Sequence, residues 1–262
     1  MAAIGLLVVI LLWGCFAYTN ERVAPGPDSR AMQTPVKQDI SEILKNSQWL
    51  IIAAITFFLL AAVAMRGGVT NYYIEYFFNR PESKGIFNLF GMLAGVAGAL
   101  SVTFLKEKYC KVRLFRWASI IVIILHLGFL PLTREQFDIA LLLSAAANFF
   151  HMMVTVLLFS MVPDTVEYGK TALKAAGNAM AMSFAGHLLA LKIGIAIGGA
   201  MTGWGLAYVG YVANESQSQG ALEGIVAIYA SGPIILGVVI LCLISMYKLT
   251  NEEMDKYSGS VA

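Results

Sequence analysis

The chain has 262 residues, 58% of them hydrophobic and 13% charged, with a mean hydropathy of +0.72; a soluble domain carries roughly 25% charge, so this is a polytopic membrane protein and not a soluble domain. The net charge of +2 arises from 18 Lys and Arg against 16 Asp and Glu, and in a membrane their placement matters more than their sum. Cys15, Cys110 and Cys242 lie in or beside apolar runs, with neither metal-ligand spacing nor an even framework, and read as packing residues.

Residues 1–19 are an apolar run with no charge ahead of it and Glu21 and Arg22 behind it. A secretory signal needs a basic leading segment, so the run reads instead as a membrane helix whose basic flank marks the cytoplasmic end. Residues 20–48 are the one sizeable polar stretch. Pro25, Gly26 and Pro27 open it, and Thr34 with Pro35 supplies an N-cap and a first helical position. The short helix that follows gathers Val36, Ile40, Ile43, Leu44 and Ser47 on one face, which predicts that it lies along the cytoplasmic surface of the membrane domain.

Trp49 to Phe78 is the next predicted span and carries Arg66 near its centre. Thr70 and Tyr73 follow at i+4 and i+7 and share the face of Arg66, whereas Glu75, at i+9, points the other way. Two readings of Arg66 stand side by side: a brace on neighbouring helices through backbone carbonyls, or a cavity-lining residue. Residues 86–105 form a span rich in Gly and Ala, suited to close helix contact. Lys106, Lys108, Lys111, Arg113 and Arg116 then surround Glu107 in a basic loop that the positive-inside rule makes cytoplasmic. The loop is too short and too tightly wedged between spans to be a nucleic-acid patch.

Residues 117–132 form a span containing His126, and about 137–161 form the next. In the latter, Ser144, Asn148, His151 and Thr155 step by four, three and four residues and therefore align on one helical face. Such a stripe must find partners inside a bundle, either as interhelical hydrogen bonds or as ligands for substrate hydroxyls. A predicted loop over 162–175 holds Asp164, Glu167, Lys170 and Lys174. The apolar stretch from about 176 to 208 places Lys192 near the bilayer midplane, where a cation costs about 3 kcal/mol on insertion scales and must meet water, an anion or another helix. Ala185, Gly199 and Gly203 fall on the side of Lys192; Gly194 and Gly198 fall opposite, where a neighbouring helix can approach. Residues 221–247 are the last span, and a tail of mixed charge follows.

This makes seven spans with the N-terminus outside and the C-terminus inside the cell inner (plasma) membrane. Thirteen Lys and Arg then fall in cytoplasmic segments and only Arg80, Lys84 and Arg134 outside, with Arg66 and Lys192 inside spans. No HExxH, CxxC, Walker or GxSxG pattern occurs, and the three histidines lie on separate spans, so the chain does not read as an enzyme.

The strings VPDTVEYGK, AGNAMAMSFAGHLLALK and IGGAMTGWGLAYVGY resemble the tenth and eleventh membrane segments of the glycoside-pentoside-hexuronide:cation symporters, which have the major facilitator superfamily fold, and AMRGGVTNYYIEYF resembles the seventh. The resemblance implies an all-α polytopic chain running from the sixth to the twelfth helix of such a transporter. Residues 1–19 would be the sixth helix, 20–48 the middle loop, 49–248 the C-terminal six-helix bundle and 249–262 a cytoplasmic tail. It implies secondary active transport of a sugar-like small molecule with Na+ or H+ by alternating access, with no cofactor beyond the coupling cation. Lys192, His187, Asn148, His151, Thr155, Arg66 and Tyr73 would line the substrate cavity, while Asp164, Glu167 and Tyr168 would belong to a gating loop that makes salt bridges between halves. The family keeps its cation-site carboxylates in the first five helices. The expectation is therefore a chain incomplete alone, whose partners are the lipid bilayer and an N-terminal half, either upstream or a separate chain. Two departures stand out: Thr155 occupies a position where a family sugar site has an aromatic residue, and His187 with Leu188 replaces a Gln-Thr pair ahead of the lysine. The alternative function is a non-transporting fragment or packing subunit.

Overall fold

The computed structural model describes residues 2–19, 36–173 and 179–258, and those residues fold into helices joined by turns, without a strand. The described helices are α1 (Ala2–Tyr18), α2 (Val36–Lys45), α3 (Ser47–Tyr72), α4 (Lys84–Leu105), α5 (Lys111–Leu127), α6 (Phe137–Thr171), α7 (Ala179–Tyr208), α8 (Gln219–Ser245) and α9 (Asn251–Ser258). Among the described residues five segments are long and apolar enough to cross a membrane: Ser47–Phe77, Pro81–Leu105, Phe137–Thr171, Ala181–Tyr208 and Gln219–Ser245. Helices α1 and α5, of 17 residues each, occupy the other two predicted spans.

Helix α3 runs along both α7 and α8, α4 lies on α6, and α5 bridges α6 and α8. Glycines set how closely these helices approach. A Cβ at Gly98 of α4 would stand 2.0 Å from the Phe149 carbonyl oxygen of α6, and one at Gly194 of α7 would stand 2.4 Å from that of Phe57 on α3. Gly198 meets Ala61 of α3 in the same way, so the glycine face opposite Lys192 is the one that packs. Every described side chain from 5 to 19 except Gly14 is exposed, so the apolar surface of α1 finds no cover within the bundle.

Two apolar clusters divide the bundle along its length. One is built on Ile52, Phe115, Leu157, Met161 and Ile240; the other is rich in aromatic rings, among them Tyr73, Phe87, Phe129 and Tyr229. Along α5 and α6 the buried polar residues Ser119, His126, Ser144 and His151 fall between these clusters, and Arg66 of α3 lies at the near edge of the aromatic one, beside Met65. The polar layer therefore lies in the middle of the bundle.

Three sequence expectations change. The stretch 162–175 is not a loop as far as it is described: α6 continues through Pro163 to Thr171. The Thr165 hydroxyl donates to the Val162 carbonyl within this stretch at 2.7 Å. The basic stretch 106–116 is partly helical, with Lys111, Arg113 and Arg116 in the first turns of α5, since Lys and Arg are good helix formers whose long stems carry the charge outward. On α2 the predicted apolar face splits. Ile43 is buried with Asp39 and Asn46, whereas Ile40 and Leu44 are exposed. Asn46 fixes this docking: its Oδ1 accepts from the Trp49 amide at 3.0 Å, capping α3, and its Nδ2 donates to the Thr165 carbonyl of α6 at 2.7 Å. Pro25, Gly26, Pro27, Thr34, Pro35, Lys174 and the start of the lysine helix at 176–178 lie outside the described residues.

Candidate functional site

Arg66 is the centre of the polar layer. Only 6% of it is exposed, and its fork spans two helices. Nη2 donates to the Ser144 hydroxyl at 3.0 Å and Nη1 to the Asn148 Oδ1 at 3.2 Å, both on α6. Nε and Nη2 both face the Tyr229 hydroxyl of α8, at 3.4 and 3.3 Å, and the guanidinium carbon stands 5.5 Å from the centre of that ring. All of these acceptors are neutral. Of the two readings left open by the sequence, the brace is real but acts through side chains, and it does not preclude the second. Arg66 also lines a cleft of about 400 Å³ among α3, α4 and α6, together with Thr70, Asn88, Ser144, Asn148 and Thr155. Gly67 borders the cleft with nothing within 4 Å of where a Cβ would stand. At Gly91 a Cβ would lie 2.6 Å from the Asn148 Nδ2, so the missing side chain is what lets that amide reach across to α4.

Two residues of the predicted stripe, Ser144 and Asn148, bind Arg66. Ser144, Asn148, His151 and Thr155 all border this one cleft. His151 is almost wholly buried, with neither ring nitrogen hydrogen-bonded, and its ring lies 6.2 Å from that of His126. The hydroxyl of Thr155 is spent on the His151 carbonyl at 2.9 Å.

The remaining sequence candidates lie elsewhere. Tyr73 is fully buried in the aromatic cluster, in the π-helical turn that ends the span, and stacks on Tyr229 at 4.5 Å between centres. It supports the tyrosine that Arg66 uses without reaching the cleft. His187 is fully buried on the packed side of α7: its Nδ1 lies 3.1 Å from the Thr56 hydroxyl and its ring sits edge-on to Phe159. Lys192 is exposed, as are Ala185, Gly199 and Gly203 on the same side of α7, and it is not among the residues lining the Arg66 cleft. Asp164 is on α6 and pairs with Lys111 of α5 at 2.5 Å, inside the same bundle. Glu167 and Tyr168 are half-buried near the end of α6, where Tyr168 borders a small cleft with Gln48 and Lys248. Glu75, turned away from Arg66 as its spacing predicts, pairs with Lys84 at 2.5 Å.

Tyr229 and Asn88 are the site residues that sequence reasoning missed. A tyrosine deep in the apolar run of α8 was a usable signal for the first, because a buried phenol seeks a polar partner. For Asn88 the signal was its place three residues before Gly91 on the face of α4 that meets α6. Among the described residues no group of three or more His, Cys, Asp or Glu is placed to hold a metal ion.

Comparison with known proteins follows the same lines. The profile of the MFS/sugar transport protein family matches residues 1–251. The chain is 32% identical to the putative glycoside/cation symporter YagG of Escherichia coli (strain K12), over 98% of the chain and 55% of that protein. It is 29% identical to the inner membrane symporter YicJ of the same strain, over 100% of the chain and 56% of the relative. To an isoprimeverose transporter of Lactiplantibacillus pentosus it is 26% identical, over 97% and 51% respectively. The chain thus spans about half the length of the curated relatives it matches.

Proposed function

Because the chain belongs to the MFS/sugar transport protein family, a family of membrane transporters and not of enzymes, we propose that it is the C-terminal half of a secondary transporter that moves a sugar-like solute together with Na+ or H+ by alternating access. One observation carries the reading: a largely apolar cleft near the middle of the bundle whose polar groups include a buried guanidinium and two asparagine amides. Planar donors and amides that both give and accept hydrogen bonds match the alternating groups of a polyol, and solute sites in transporters of this kind lie near the midplane. Names of relatives, among them a glycoside/cation symporter and an isoprimeverose transporter, support a carbohydrate as cargo.

Alternating access needs two bundles rocking about a site between them. The relatives' greater length and the uncovered apolar surface of α1 support a second half as partner. Lys192 lies on the uncovered side of α7, and the proposal has it meet that half. The coupling cation would then be held by carboxylates of the partner, since among the described residues Glu75, Glu82, Asp138, Asp164, Glu167 and Glu223 all lie toward the ends of their spans and Glu75 and Asp164 are paired with lysines. The rival reading, a packing subunit that does not transport, needs no open cleft.

The distinction can be made with Gly67→Cys in a chain whose three native cysteines are serine. A membrane-impermeant maleimide should label position 67 from water, and methyl glycosides should slow the labelling. A site that never labels would return the Arg66 cluster to packing alone.

A further inference from the structure

A second polar feature lies at the end of the bundle where α5 begins, away from the cleft. Arg113, Arg116, Trp117 and Ile120 follow at i, i+3, i+4 and i+7 and share one helical face, which Ile124 and Leu127 extend. Both arginines are exposed, and Trp117, Ile124 and Leu127 are 61%, 59% and 47% exposed. From Arg113 to Ile124 the helix descends about 16 Å. Over that distance its surface changes from guanidinium to indole to aliphatic. That is the order in which a lipid presents its phosphate, its interfacial region and its acyl chain, within one leaflet of a hydrocarbon core about 30 Å thick.

The top of this stripe is one wall of a cleft of about 950 Å³. The turn before α5 forms another wall with Lys106, Lys108 and Tyr109, and residues 250–252 at the start of α9 close a third. Charge in this cleft is only partly compensated. Among the described residues, no hydrogen bond or ion pair engages the side chains of Lys106, Lys108 or Arg113, and Arg116 donates only to the Ile244 carbonyl, at 3.2 Å. Glu107 and Glu252 also line the cleft, so four cations face two carboxylates. Lys111, in the same first turn of α5, is satisfied by Asp164 and is not part of the lining. A soluble basic surface would have no reason to place an exposed tryptophan and an aliphatic track directly beneath its arginines.

We propose that this cleft binds an anionic phospholipid, its phosphate held by Arg113 and Arg116 with Lys106 and Lys108 beside it. Trp117 sits at the level of the ester groups, and one acyl chain lies along Ile120, Ile124 and Leu127. Basic pockets beside membrane helices hold anionic headgroups by this combination of charge and burial. The site is independent of the solute cleft, so it stands or falls separately from the transport reading.

Native mass spectrometry of the purified full chain, offered equal amounts of phosphatidylglycerol and phosphatidylcholine, tests it. The expected result is a preference of about fivefold or more for phosphatidylglycerol. Both Arg113→Gln with Arg116→Gln and Lys106→Gln with Lys108→Gln should reduce that preference, with far-UV circular dichroism reporting the fold of each pair. Arg80→Gln with Arg134→Gln, at the opposite end of the bundle, should leave it unchanged. Equal retention of the two lipids overturns the proposal. So does a preference that survives in both folded variant pairs, or one that falls equally in the Arg80 and Arg134 control.

Discussion

Arg66 is held by three neutral side chains, and among the described residues no carboxylate pairs with it. Its planar fork is what reaches Ser144, Asn148 and Tyr229 at once, and a lysine keeps the charge while losing that geometry. Arg66→Lys in the complete transporter should therefore lower solute affinity at least tenfold while the helical content stays unchanged; wild-type affinity in this variant would remove Arg66 from the site. The i, i+4, i+7 pattern from Ser144 to Thr155 made half of this cluster legible in the sequence. The other half depends on α3 packing against α8, which no local spacing reports, and so Tyr229 was missed. His187 shows the converse. Spacing places it away from Lys192 on the helix, but only the packing of α7 on α3 and α6 reveals that this face is interior.

At the scale of helices, spans over 49–78, 86–105 and 221–247 were legible because apolar length is a strong signal. Their ends were not. Helix α6 runs ten residues past its predicted end at 161, held there by Lys111 on Asp164 and Asn46 on the Thr165 carbonyl, tertiary contacts that no local spacing reports. That junction gives two predictions. Asn46→Ala loses a cap and a tie to α6 and should cost about 1–2 kcal/mol, seen as a lower melting temperature in detergent; an unchanged melt would mean that α2 and α3 are held by other contacts. A double-mutant cycle on Lys111 and Asp164, which are 23% and 14% exposed, should return a coupling near 1 kcal/mol, the upper end for solvent-accessible pairs. Zero coupling would show that the pair does not tie α5 to α6. The glycine contacts separate in the same assay. Gly98→Ala drives a methyl against the Phe149 carbonyl and should destabilise by about 1–3 kcal/mol, whereas Gly199→Ala, with nothing within 4 Å, should be neutral or slightly stabilising. Equal effects at the two positions would contradict the α4–α6 packing.

At the scale of the whole molecule, the described residues present a packed bundle, an uncovered apolar helix and an exposed lysine on α7. These features make sense together if a second half covers them, and the proposal then assigns Lys192 to the interface between halves. Lys192→Ala should abolish cation-coupled uptake in the two-half transporter without unfolding it; coupling that persists would reduce the lysine to packing. Gradient-driven uptake of a labelled glycoside into proteoliposomes asks whether this chain supplies one half of a solute site centred on Arg66. No uptake is expected with this chain alone, and uptake driven by a Na+ or proton gradient is expected when the first half of a relative such as the 32%-identical YagG is reconstituted with it. Arg66→Ala should remove that uptake. Robust gradient-driven uptake by the isolated chain, or uptake by the pair that is indifferent to Arg66→Ala, would contradict that role for the chain.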